Sequence, residues 1–406
     1  MTRIEQALFA LLRCALRGEP AREDPELSSD EWQALLRLSL SQQLLPLVYE
    51  CAYRLPSFRA LEPAVRQEFR LLSVKIAMRQ MVQSNEFLSL YAAAQREGLH
   101  ALVMKGIVCR QLYPVPCLRP SVDEDLLIPA DEREAWHRFL TEYGLTADRE
   151  AADGKLGEEF SYHKPNSPTY LEMHAALFPS DSDAYGDLNE LFAGVWDRAA
   201  SLKVEDVTLS TLDPTDHLLF LLCHAYKHFL HGGVGVRHAS DIAMFTRSYA
   251  AEIDFQRLYA ACERKGIQVF CAGLFAVGSR HLGLEQIPGA FAALSVDEGP
   301  LLEDMLSDGM FGSEDPDRMH SSHITLEAVA AGGQGRGRTG IWKSLFPGKE
   351  HLQNSYPYAR AHPWLLPVAW AQRLIRYAAR EKGDPGKSIR IGRERVELLR
   401  KYKIIP

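Results

Sequence analysis

The hydrophobic period of this chain changes twice, and that alternation limits its fold more than any other feature. Up to residue 98 apolar positions recur at three and four, as in Ile4, Leu8, Leu11 and Leu12, the spacing of amphipathic helices. At His100 the pattern becomes a short apolar run, Ala101-Leu102-Val103-Met104, that ends in Lys105-Gly106 and leads into a short helix through Leu112. That is strand, turn, helix. After Leu212 the helical spacing returns, with Asp213-Pro214 as a start and Leu218, Leu219, Leu222, Ala225 and Phe229 as apolar positions. The chain is therefore expected to be α+β: a helical region over 1–98, a mixed core over 99–212, a helical domain over 213–331, and a glycine-rich loop with a basic helical tail over 332–406.

Local signals refine this outline. Ser28 and Ser29 before Asp30, Glu31 and Trp32 form a capping candidate, and Pro63 opens a long helix toward Glu97 that Gly98 closes. Pro114, Pro116 and Pro120 mark an irregular connection before a second strand, Ser121 to Ile128, stopped by Pro129. A helix over 131–143 follows. Strand-like segments at 159–163 and 169–174 flank Pro165-Asn166-Ser167-Pro168 as a hairpin, and further helices are expected over 237–248 and 255–265. The stretch Gly332 to Arg338 is low in complexity, and it lacks the Gly-Lys-Ser/Thr ending of a phosphate-binding loop.

With 406 residues, 46% of them hydrophobic and 24% charged, the composition is that of a globular protein with proper cores. The net charge of -7 demands neither a nucleic acid nor a membrane. Its distribution is uneven: Gln372 to Pro406 holds eleven Lys and Arg against four Asp and Glu, so this tail is near +7 and the remainder near -14. Seven dispersed cysteines with no Cys-x-x-Cys fit a reducing compartment better than a disulfide framework or zinc site. No run approaches the roughly 20 apolar residues of a membrane span, and Arg3, Glu5, Arg13 and Arg17 interrupt the N-terminus. A cytoplasmic protein without a membrane partner is the expectation.

Chemistry concentrates at Asp123 and Asp125. Two apart on an expected strand, their carboxylates share a face and can hold one or two magnesium ions, the electrostatic centre that nucleotidyl transfer requires. Most isolated Asp-x-Asp pairs are solvated surface groups, but three features add to this one. Leu126-Leu127-Ile128 carries the strand into a core, Lys105-Gly106 stands at a strand-to-helix turn suited to phosphate, and Glu172 offers a third carboxylate on a later strand.

The succession Leu102-Val103-Met104-Lys105-Gly106, Leu118-Arg119-Pro120, Asp123-Glu124-Asp125-Leu126-Leu127-Ile128 resembles the bacterial uncharacterised nucleotidyltransferase family of the polymerase-β superfamily. Later blocks agree: Leu171-Glu172-Met173-His174, Cys223 to His228 with Asp241-Ile242-Ala243, and Pro363-Trp364-Leu365-Leu366-Pro367 with Arg373. The resemblance implies a polymerase-β-like core with a small mixed sheet, flanked by helical regions. It further implies a magnesium-dependent enzyme that moves NMP from an NTP such as ATP to a hydroxyl of a small molecule, peptide, protein or RNA. The Lys-Gly, Arg-Pro-Ser, Asp-x-Asp order is also similar to abortive-infection nucleotidyltransferase toxins, so a tRNA-modifying toxin is an alternative. Glu124 departs from the pattern that the resemblance implies, in which the residue between the two aspartates is usually apolar. A buried carboxylate must be paired, and this departure leaves open a nucleotide-binding scaffold without turnover.

Within this reading Asp123 and Asp125 hold magnesium, and Glu172 either completes the metal site or acts as general base. Lys105 and Gly106 meet the triphosphate, and Arg119 either contacts phosphate or pairs with an acid. His224 and His228, four apart on a helix, lack a zinc-protease motif; buried packing or the lining of a substrate cleft with Lys227 and Asp241 is preferred. In the tail, Arg373, Arg376 and Arg380 share a helix face, with Lys387, Arg390, Arg393 and Arg395 beyond them. That face is either solvated and salt-bridged or an RNA contact.

Overall fold

The structure is a computed structural model that describes residues 1–148, 156–308, 316–332, 358, 363–370, 372 and 385–406. The chain divides into two compact units, Met1–His224 with Val236–Glu298, and Ala225–Gly235 with Gly299–Pro406.

The first unit opens with five helices, α1 (Arg3–Arg17), α2 (Ser29–Ser41), α3 (Leu45–Ala52), α4 (Pro56–Arg59) and α5 (Pro63–Arg96). The cap expected at Ser28 is present as a reciprocal pair: Ser28 accepts from the Glu31 N–H, and the Glu31 carboxylate accepts from the Ser28 N–H. Helix α5 runs 34 residues from Pro63, as the sequence predicts, and buries Phe87, Leu88, Leu90, Tyr91 and Ala94 in its last turns.

Seven strands form one mixed sheet in the order β3-β4-β5-β2-β1-β7-β6. They are β1 (Leu102–Val103), β2 (Glu124–Leu127), β3 (Thr146–Ala147), β4 (Glu159–His163), β5 (Tyr170–His174), β6 (Ala200–Val204) and β7 (Val207–Thr211). The pairs β2–β5 and β1–β7 are parallel, and the others antiparallel. The expected hairpin is β4–β5. The β6–β7 hairpin escapes sequence reading because β6 is an edge strand whose residues are mostly solvent-facing or half-buried, so no apolar run announces it. The strand expected over 121–128 is shorter, and Asp123 immediately precedes it.

One face of the sheet carries the core. Leu126, Leu171, Met173, Val103 and Leu209 pack there with Phe87 and Tyr91 of α5 and with Trp136 and Leu140 of α7 (Arg133–Glu142). The Tyr91 hydroxyl fastens helix to sheet, donating to the Ala101 carbonyl at 3.0 Å and accepting from the Ser210 N–H at 3.0 Å. Between β1 and β2 lies the short α6 (Lys105–Arg110). After β7 come α8 (Pro214–His231), α9 (Val236–Ser248), α10 (Phe255–Arg264) and α11 (Gln268–His281). Asp213 receives the Thr215 N–H at 2.9 Å, so the expected Asp-Pro start is a true cap.

The second unit takes the last turns of α8, then α12 (Gly299–Asp308), α13 (Pro316–Ala330) and the C-terminal helix Pro385–Lys401. Arg395 is buried there, donating to the Phe229 carbonyl, while Arg390 and Arg400 face Glu394 and Glu397. Arg393 is exposed. Of the basic residues named in the tail, Arg373, Arg376 and Arg380 lie outside the described residues, as does the side chain of Lys387. No helix among the described residues is long and apolar enough to cross a membrane.

Candidate functional site

Strand β2 decides the site because its two faces do different work. Asp125 stands opposite Glu172 in the parallel register with β5, and Leu127 opposite His174. Alternation therefore puts Asp125, Glu172 and His174 on the face away from α5, while Glu124 and Leu126 point toward it. One ligand atom from each of Asp125, Glu172 and His174 lies within 4.8 Å of the others.

The opposite face shows how Glu124 is tolerated. It is fully buried and bonds to the equally buried Arg110, accepts from the Ile107 N–H at 2.7 Å and from Gln83 Nε2 at 3.2 Å. Arg110 also donates to the Ser121 hydroxyl and to Gln80 Oε1 at 3.3 Å, and Gln80 Nε2 donates to the Ser121 carbonyl at 2.8 Å. These bonds fix the connection that delivers Asp123 to the strand. Gly106 belongs to the same device: at φ +41° it leaves the helical path, and a Cβ there would lie 2.0 Å from Glu124 Oε2. The Ile107 N–H in the first turn of α6 is thus taken by Glu124.

Lys105 leaves this turn toward the carboxylates. Its Nζ is 3.0 Å from Asp125 Oδ1 and 2.8 Å from His224 Nε2. Burial pulls the ammonium pKa down, but Asp125, Asp123 and Glu172 outweigh it and the net shift is upward. Burial also opposes ionisation of Asp125, yet Lys105 and His174 hold its carboxyl well below the usual range. For Glu172 burial, together with the charges of Asp125 and Asp123, pushes the carboxyl up to about 7. Carboxylates repelling one another in this way mark a place where a cation would be welcome.

Orphaned polar atoms test that fit. Asp125 Oδ2 and both ring nitrogens of His174 are buried and have no hydrogen-bond partner among the described residues. His174 Nε2 stands 3.5 Å from Asp125 Oδ1 and 3.8 Å from Glu172 Oε2, too far for hydrogen bonds and suited to donors that share an ion. The donor set fits a divalent cation.

The remaining candidates occupy defined places. Arg119 is buried and committed to Asp241, donating at 2.6 and 3.1 Å, and Tyr113 donates to the same carboxylate at 2.8 Å. Of the two roles open to Arg119, acid pairing is the one its contacts show, and Asp241 is the acid. Both line a small pocket with Lys105, Gly106, Asp123 and His224, which Arg237 and His238 also border. Lys227 and His228 belong to the second unit. Sequence reading assigned no role to His174 or Arg237. For His174 the signal was present, since it lies two residues after Glu172 on one strand and so shares its face; Arg237 carried none.

The mixed sheet thus presents a group of Asp125, Glu172 and His174 that could hold a metal ion, with the buried Lys105 beside it. The family described as uncharacterised nucleotidyltransferase matches residues 28–283, more than half of the chain, and the protein belongs to it. No curated protein and no solved structure matches the chain.

Proposed function

We propose that the protein transfers a nucleoside monophosphate from an NTP, such as ATP, to a hydroxyl acceptor on a polymerase-β-like core. The observation that carries this reading is the meeting of Asp125 and Glu172 across the β2–β5 pair, with Lys105 Nζ 3.0 Å from Asp125. Asp123, Asp125 and Glu172 are the residues that would hold the cation. A bound divalent ion would neutralise triphosphate charge and orient the α-phosphorus, for which magnesium is the ordinary choice of an all-oxygen site.

The acceptor oxygen attacks the α-phosphorus, the bond to the β-phosphate oxygen breaks, and pyrophosphate leaves with the electron pair. Lys105 brings a positive charge to the triphosphate, in a buried setting that screens it less than bulk water would. Glu172 has one oxygen to turn toward the cation and a second to take the acceptor proton. Glu124, the departure from the family pattern, is turned to the other face and spent on Arg110. It does not compete for the cation, which removes the main argument for a scaffold without turnover.

The test is calorimetry with a non-hydrolysable ATP analogue. The wild type is expected to bind it only when a divalent cation is supplied, and Asp125→Asn to lose at least about tenfold in affinity, since the amide keeps volume but not charge. Affinity that is independent of the cation, or unchanged in Asp125→Asn, overturns this function.

A further inference from the structure

We infer that His174 Nε2 is a direct ligand of the cation and that it turns the site toward a first-row transition ion, with manganese favoured over magnesium. The inference rests on the metal site proposed above and adds a nitrogen to its donors.

Three observations carry it. The ring is only 5% exposed, and neither nitrogen finds a hydrogen bond among the described residues, an arrangement that leaves a buried lone pair costly unless something uses it. Nε2 faces the oxygens of Asp125 and Glu172 at 3.5 and 3.8 Å. On the far side of the ring Nδ1 faces the Glu159 carboxylate at 3.9 Å, Glu159 being the register partner of His174 on β4. A carboxylate behind the ring favours the proton on Nδ1 and so leaves the Nε2 lone pair aimed at the acids, the orientation used by metal-binding histidines.

The nitrogen donor selects the ion. Donors about 2.1 Å from a common ion stand about 3.0 Å apart at the right angles of an octahedron and about 3.4 Å apart at tetrahedral angles. The observed separations of 3.5 and 3.8 Å exceed both values, so the donors close by a few tenths of an ångström on any such ion and the nitrogen, not the spacing, is what discriminates. Magnesium demands near-ideal octahedral geometry and prefers oxygen, whereas transition ions accept imidazole readily. Asp125 Oδ1 faces both Lys105 Nζ at 3.0 Å and His174 Nε2 at 3.5 Å, so an ion held by His174 shares that oxygen with Lys105 or takes Oδ2, which has no hydrogen bond.

The experiment uses the full chain stripped with a chelator, without nucleotide, so that it does not depend on catalysis. Manganese is titrated and the free ion followed by its electron paramagnetic resonance signal, with magnesium as competitor; electron spin echo modulation of bound manganese then reports a coordinated nitrogen. Manganese is expected to bind at least about tenfold more tightly than magnesium, with a ¹⁴N coupling in the spectrum. His174→Gln should lose at least about tenfold in manganese affinity and the ¹⁴N coupling, while magnesium affinity moves by less than about threefold. Bound manganese without nitrogen coupling in the wild type overturns the inference and leaves the carboxylate site standing, and it decides the matter even if the variant fails to fold. Unchanged preference in a folded His174→Gln does the same. No binding of either ion removes the metal site itself.

Discussion

Replacing Glu124 by Gln tests whether the buried pair behind the site is as costly to break as its surroundings imply. Both Glu124 and Arg110 are wholly buried, and the pair is closed by the Ile107 N–H, Gln83, Gln80 and Ser121. Removing one member of such a pair typically costs about 3–5 kcal/mol, because the other charge stays behind. The amide retains the bond to Ile107, and Arg110 keeps Ser121 and Gln80, so the lower end applies, about 3 kcal/mol. That is a large share of a total of about 5–15 kcal/mol, and corresponds to a fall in Tm of about 5 °C for a unit of this size. The double variant Arg110→Met with Glu124→Gln should consequently lose less than the sum of the two single variants, with a coupling of at least about 1.5 kcal/mol in urea unfolding. A loss below about 1 kcal/mol for Glu124→Gln, or strict additivity, would refute the reasoning.

Two further outcomes follow from the same region. Gly106→Ala places a Cβ 2.0 Å from Glu124 Oε2 at a φ of +41°, and should cost at least about 2 kcal/mol in urea unfolding; a loss under about 0.5 kcal/mol would show that the turn is not constrained. His217 is buried and its pKa is lowered by desolvation to about 3, against 6.5 for the ordinary ring. A depressed folded pKa means stability that is fully present above pH 6.5 and is lost as pH falls toward 3, about 2 kcal/mol of it between pH 8 and pH 5. His217→Leu should flatten that slope in urea unfolding across this range, and equal slopes in variant and wild type would sink the assignment.

What the sequence made legible depended on how local the cause was. The long helix from Pro63, the Ser28 cap and the hairpin at 159–174 rest on neighbours within a few residues, and all three are present. The meeting of Asp125 with Glu172 is long-range, and alternation on two strands sufficed only because the strands are adjacent and in register. Where the partner lies far off and no pattern announces it, reading fails. Arg119 and Asp241 are 122 residues apart, so nothing in either neighbourhood decides between phosphate and pairing. The β6–β7 hairpin is held to the sheet by a single register pair between Val103 and Thr211. Its alternation is too polar to show.

Glu124 is the instructive case. Read alone, a carboxylate between two metal-type aspartates threatens the site, since it adds negative charge next to a cation. The fold answers with a strand of only four residues that sends Glu124 to Arg110, 14 positions away, and to Gln83 of α5, 41 positions away, while Asp125 faces Lys105. The same carboxylate takes the α6 N–H that would otherwise be free, and Gly106 exists in its turn because nothing larger fits beside Glu124. Glu124 thus comes with its own compensation on α5 and α6. Because that compensation holds the Lys105 turn against β2, a change at Glu124 reaches Asp125 and the proposed cation site through Lys105 and not by contact.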